Sequence, residues 1–168
     1  MPSKKKKNKK IAIALAIAII FIIMMWLMGY IPHIRHPSSQ PPVEITDLKI
    51  GEKDTQAEAR NGSYTEISFR LKNNDGKNHT ITVIFELTSE GIQHVSIVTA
   101  KDQPLPRSDN TFWYNRPIYA TDPYVEQRVY AWAHLKGLAK AAVEIKIYLL
   151  VDGKPTDEKQ TVTLIISR

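Results

Sequence analysis

The 168-residue chain has no cysteine. That absence excludes disulfides, thiolate zinc sites, thiol redox chemistry and lipid attachment through sulfur. An extracytoplasmic domain built from it must rest on its apolar core, for which roughly 125 residues are enough. Glycine is also scarce, at seven residues. No glycine-rich phosphate loop, Gly-x-Ser-x-Gly elbow or His-Glu-x-x-His pair occurs. The expectation is therefore a protein that is not an enzyme, with no cofactor and no small-molecule substrate.

Acidic residues are missing from the start of the chain, where Lys4, Lys5, Lys6, Lys7, Lys9 and Lys10 stand together. Without these six, the remaining 17 of the 23 Lys+Arg match the 17 Asp+Glu. The net charge of +6 thus belongs to a ten-residue tail. A nucleic-acid-binding domain needs its basic patch on a folded face, because phosphate neutralisation drives that association. Clusters of that kind are absent downstream, so no nucleic-acid partner is expected.

Residues 11–31 carry no formal charge. As a helix, these 21 residues span roughly 31 Å, which matches a bilayer core of about 30 Å. The preceding lysines, including Lys9 and Lys10 at the boundary, read as a cytoplasmic anchor under the positive-inside rule, and Trp26 and Tyr30 suit the far interface. A cleaved signal peptide has a shorter apolar core of about 7–15 residues and a small-x-small cleavage site. Residues 24–30 offer no such site. The expected layout is a single-pass protein of the cell membrane: basic cytoplasmic tail 1–10, transmembrane helix 11–31, linker 32–42 and extracytoplasmic domain 43–168. The linker holds four prolines in eleven residues and reads as an extended spacer of about 3 Å per residue. Within the helix, Ala12/Ala16 and Ala14/Ala18 are small-xxx-small pairs that would let a second helix approach.

From Val43 the apolar residues recur with period two. Ile67, Phe69 and Leu71 alternate with polar residues, as do Ile81, Val83, Phe85 and Leu87, although Ile84 breaks the polar side. Val143 through Val151 and Val162 through Ile166 repeat the pattern. Successive strand side chains point to opposite faces, so each run has one buried and one wet face. A first strand over 43–50 slips phase near Asp47, as a bulged edge strand would. Further strands are expected at 92–98 and 124–133, and 135–142 is mildly helical. Asn73-Asn74-Asp75-Gly76 and Asp152-Gly153 supply turn chemistry between runs. Seven or eight short strands joined this way predict an all-β fold, an antiparallel β-sandwich.

The stretch ISFRLKNNDG and the closing VEIKIYLLVDGKPTDEKQTVTLII hairpin make residues 43–167 resemble immunoglobulin-like domains. The nearest types are fibronectin type III and the cell-adhesion-related domains of bacterial and archaeal surface proteins. The Cys…Trp…Cys spacing of true immunoglobulin domains is absent. The resemblance implies an immunoglobulin-like sandwich engaged in adhesion, spacing or assembly outside the cell, without catalysis.

Residues 110–124 hold five aromatics punctuated by Pro, Asp and Asn, and read as a long loop or irregular edge. Phe112, Trp113, Tyr114, Arg116, Tyr119 and Tyr124 are the candidate partner-binding residues, since rigid aromatics and Arg dominate interface energies. The bland alternative is that these rings cap the open end of the sandwich. Asn61-Gly62-Ser63 and Asn78-His79-Thr80 are glycosylation sequons. His33-x-x-His36 lacks the third and fourth ligands of a zinc site, and residues 74–78 have too few carboxylates for a calcium loop. His79, His94 and His134 are scattered. No metal is expected.

The expected function is a membrane-anchored accessory or surface-assembly component that binds another membrane or surface protein, or itself. One alternative is a subunit like an archaeal pilin or archaellin, although Lys10 precedes the apolar run and Leu15 holds its fifth position. The other is an assembly factor or metal chaperone of a respiratory complex, whose sites use Cys or clustered His and Met. Here Met24, Met25 and Met28 lie inside the apolar run. Isoleucine and lysine richness points to a prokaryotic, archaeal source.

Overall fold

The computed structural model describes residues 40–100 and 103–168. The tail 1–10, the 11–31 run and residues 32–39, with Lys9, Lys10, Trp26 and Tyr30, lie outside the described residues. Among the described residues no helix is long and apolar enough to cross a membrane.

Among the described residues ten strands form two sheets. They are β1 (Val43–Ile50), β2 (Gln56–Arg60), β3 (Tyr64–Asn73), β4 (His79–Leu87), β5 (Val95–Val98), β6 (Arg107–Ser108), β7 (Thr111–Ile118), β8 (Tyr124–Ala133), β9 (Lys140–Val151) and β10 (Lys154–Ser167). One sheet has four strands in the order β1-β3-β8-β5, and the other has six in the order β2-β10-β9-β4-β7-β6. All pairings are antiparallel except β2 with β10.

This is the immunoglobulin arrangement, in which strands A-B-E-D face strands C-F-G. Here β1, β3, β8 and β5 take the A-B-E-D places, and β4, β9 and β10 take C-F-G. In one respect the chain departs from variable-type domains, whose extra edge strands directly follow C in the same sheet. After β4 this chain first crosses to β5 at the edge of the four-stranded sheet, and only then returns to build β6 and β7 beside β4.

The period-two runs face inward as their spacing demands. Ile67, Phe69 and Leu71 of β3, Ile81, Val83, Phe85 and Leu87 of β4, Val143, Ile145, Ile147, Leu149 and Val151 of β9, and Val162, Leu164 and Ile166 of β10 are all buried. Phe85 sits at the centre, its ring 6.4 Å from Phe69 and 6.1 Å from Tyr114. The phase slip near Asp47 is a bulge: the β1–β3 register shifts between Thr46 and Lys49, and Asp47 has φ 53°. Asp152 and Gly153 both take positive φ in the β9–β10 turn.

Four expectations need correction. The strands number ten rather than seven or eight, because β2, β6 and β7 carry weak signals; β2 (QAEAR) buries only Ala57 and Ala59. Residues 111–118 are a strand, not a loop. Their Pro and Asn are tolerated because β7 lies near the sheet edge, where two-residue β6 covers only its start. In the 92–98 segment only Val95–Val98 is strand, and Gly91–Gln93 forms a 3-10 turn instead. Residues 135–142 hold no helix: Gly137 takes φ 75° and β9 begins at Lys140.

Candidate functional site

Strand alternation divides the aromatic run of β7 between surfaces. Phe112 is 2% exposed and belongs to the core. Tyr114 also points inward, stacking on Phe85 and donating its hydroxyl to Gln127 Oε1 at 3.0 Å. Burial pushes the Tyr114 phenol far above its usual range, against the small opposing effect of Arg116. Trp113 faces the other way. It lies with Ile84, Tyr148 and Leu150 on the outer face of the six-stranded sheet, around a shallow cavity of about 260 Å³. Arg116 is exposed near the end of β7. Tyr119 and Tyr124 are more than half exposed and flank the β7–β8 loop. The six candidates therefore do not form one surface.

Tyr119 and Tyr124 stand at the end of the sandwich where the described chain begins. Asparagines tie that end together. Asn74 donates its backbone N–H to Pro42 O and its side-chain amide to Pro41 O. Asn73 donates to Lys77 O and Tyr119 O. The Asn78 Oδ1 accepts from Ala120 N at 2.7 Å. His79 closes the same end: Nδ1 lies 2.7 Å from Asp152 Oδ2 and Nε2 lies 2.8 Å from Asp75 Oδ1. Both sequon asparagines are exposed, and Asn61 Oδ1 accepts from Leu135 N at 2.7 Å.

A pair of exposed, stacked rings lies elsewhere. On the outer face of the four-stranded sheet, Tyr64 of β3 is directly opposite Trp132 of β8. Their rings stack at 6.3 Å with 22° between planes, and both are exposed, at 48% and 38%. His134 extends the row, 5.1 Å from Trp132, with its Nε2 3.0 Å from Ser96 Oγ. Burial, then Lys136 and His94, hold the His134 pKa below its ordinary value. Glu66, in the next row, accepts from Tyr130 Oη. Beside Tyr64 a groove of about 390 Å³ runs between Glu52, Lys53, Glu58 and Glu66. Sequence reading passed over these rings. The available signal was an aromatic at the wet phase of each strand, Tyr64 before Glu66 and Ser68, and Trp132 after Arg128 and Tyr130. Only the register brings the two together.

Among the described residues no group of three or more His, Cys, Asp or Glu stands close enough to hold a metal ion. The geometry shows stacked, exposed rings on paired strands.

The domain is an immunoglobulin-like β-sandwich. No protein-family model matches the chain, and no curated protein matches it. Solved structures of similar shape include the CooA pilin subunit of enterotoxigenic Escherichia coli, with 10% identity, a TM-score of 0.44, and coverage of 76% of this chain and 98% of that one. An immunoglobulin-like protein from Pseudomonas aeruginosa gives 13% identity and a TM-score of 0.39, covering 75% and 98%. The Pseudomonas fluorescens DNA glycosylase AlkC gives 12% and 0.41, covering 73% of this chain but 30% of the glycosylase. With identities this low and overlays this loose, these likenesses carry nothing about activity or partners.

Proposed function

We propose that this chain is a single-pass membrane protein whose extracytoplasmic sandwich binds another protein and carries out no chemistry of its own. The observation that carries the reading is the exposed Tyr64–Trp132 pair. Monomeric domains rarely leave adjacent large rings uncovered without a use for them. The pair also lies at the end of β3 remote from the start of β1. Asn73, at the opposite end of β3, is paired with Val43, where the domain begins. Nine residues of strand put Tyr64 about 30 Å from that point.

Capture of the full-length protein from its native membranes in mild detergent tests this. The expected result is a co-purifying protein that is lost in a Tyr64→Ala/Trp132→Ala variant. Release of the wild-type chain by carbonate washing, or protection of its carboxyl-terminal part from protease added to intact cells, overturns the anchored layout.

A second reading, a subunit of a filament, is favoured by a different observation. Two unlike apolar patches, Trp113/Ile84/Tyr148/Leu150 and Tyr64/Trp132, lie on the outer faces of opposite sheets. Patches of that kind generate head-to-tail contacts that need not close. A ladder of self-cross-linked species, suppressed by substitution in either patch, would select this reading.

A further inference from the structure

The groove beside Tyr64 says what kind of chain the partner presents. We propose that it receives a lysine- or arginine-bearing segment of the partner protein, an inference that rests on the partner-binding reading above. Three observations meet there. First, one wall is the exposed Tyr64 ring, stacked on Trp132. Aromatic faces attract cations through the ring quadrupole, with indole the strongest.

Second, the remaining wall carries three carboxylates, Glu52, Glu58 and Glu66, against one cation, Lys53. Some carboxylates elsewhere in the domain are matched, Glu44 with Lys72, Asp47 and Glu126 with Arg70, Glu86 with Lys159, and Asp75 and Asp152 with His79, whereas the groove gathers three without a partner cation. Among the described residues, none of the three groove glutamates is in an ion pair. An anionic segment would be repelled, and a cationic one would find both its charge and its apolar stem accommodated.

Third, the groove is rigid. Ile50 and Lys53 exchange backbone hydrogen bonds at 2.8 and 3.3 Å, fixing the turn that carries Glu52. Gly51, at φ 60°, donates to Glu66 O at 2.8 Å and ties that turn to β3. The positive φ there explains the glycine. A preformed site loses less freedom on binding.

Fluorescence anisotropy with labelled tetralysine and tetra-arginine peptides tests the inference on full-length protein in nonionic detergent. Tetraglutamine and the neutral sugar cellohexaose serve as comparison ligands. Both cationic peptides are expected to bind and tetraglutamine not to. Trp132→Ala, and Glu58→Gln with Glu66→Gln, should each weaken binding about tenfold. Glu126→Gln removes one carboxylate charge at the other end of the sheet face and should leave binding unchanged. Equal binding of tetraglutamine, equal loss in Glu126→Gln, absence of peptide binding, or binding of cellohexaose in place of the peptides overturns the inference. The two readings fail separately. A captured partner lost in the Tyr64→Ala/Trp132→Ala variant, with no peptide binding, removes only the cationic segment. Peptide binding at the groove with no captured partner removes only the earlier reading.

Discussion

His79 Nδ1 and Asp152 Oδ2 lie 2.7 Å apart although 73 positions separate them in the chain. With Asp75 on the other ring nitrogen, His79 joins the β3–β4 and β9–β10 turns across one end of the sandwich. Its side chain is only 8% exposed. Burial pulls the imidazole pKa down, but the hydrogen bonds that Asp152 and Asp75 accept from the ring outweigh it, and the net shift is upward from 6.5. The same hydrogen bonds hold Asp75 and Asp152 below 3.8.

The pH dependence follows from those directions. A raised histidine pKa gives stability that is fully present below the unfolded value and is lost as pH rises through the folded one. The lowered aspartates stabilise above their unfolded value and lose that contribution as pH falls through the folded one. The clasp is therefore strongest between about pH 4 and 6.5. Thermal melts across pH 5 to 9 should show the wild-type midpoint falling on the alkaline side. His79→Gln should flatten that slope. A midpoint slope identical in the two proteins contradicts the clasp.

Tyr114→Phe removes the hydroxyl that Gln127 Oε1 accepts and leaves a buried amide oxygen short of a donor. The expected cost is about 1–2 kcal/mol in urea unfolding. The ring packing on Phe85 is kept, so the loss reports the hydrogen bond.

Gly91 is buried in the 3-10 turn, with no unusual φ. A Cβ there would meet Val143 Cγ1 at 2.7 Å and Thr88 Oγ1 at 2.9 Å. Thr88 Oγ1 already accepts from Gly91 N. Gly91→Ala should therefore destabilise by about 1–3 kcal/mol through overpacking. Gly91→Ala with Val143→Ala should recover part of the loss if the clash is the cause.

Pro117 guards the edge at β7. Trp113 N donates to Pro106 O, away from β4, so by alternation the backbone of 115 and 117 also faces outward. Proline has no N–H to offer there, and β6 does not reach that far. Pro117→Val restores a free donor on an edge. Sedimentation should show concentration-dependent self-association of the variant beyond that of wild type.

Local chemistry made much of the fold legible. Which residues of β3, β4, β9 and β10 face inward followed from a repeat of two, since pleating forces alternation wherever one face is dry. The Asp47 bulge was legible as a slip in that repeat, and the Asp-Gly turn as a pair tolerant of positive φ. The signal failed where the chain reads ambiguously. β2 offers only alanines to the core. β7 mixes Pro and Asn with rings, so strand and loop look alike until β4 is placed beside it. The candidate site was read poorly for a related reason. Adjacency in sequence suggested that Phe112, Trp113 and Tyr114 act together, whereas a strand sends neighbours to opposite sides.

By itself, then, the order of residues determined an all-β domain, the dry and wet faces of its main strands, and the tight turns between them. These properties depend on a few neighbouring positions. Tertiary structure alone decided that β5 joins the four-stranded sheet while β7 joins the other, that Tyr64 meets Trp132, and that His79 reaches Asp152. Each of those depends on the register between segments far apart in the chain, which is set when two sheets bury their apolar faces against one another and leaves no trace in any short stretch of sequence.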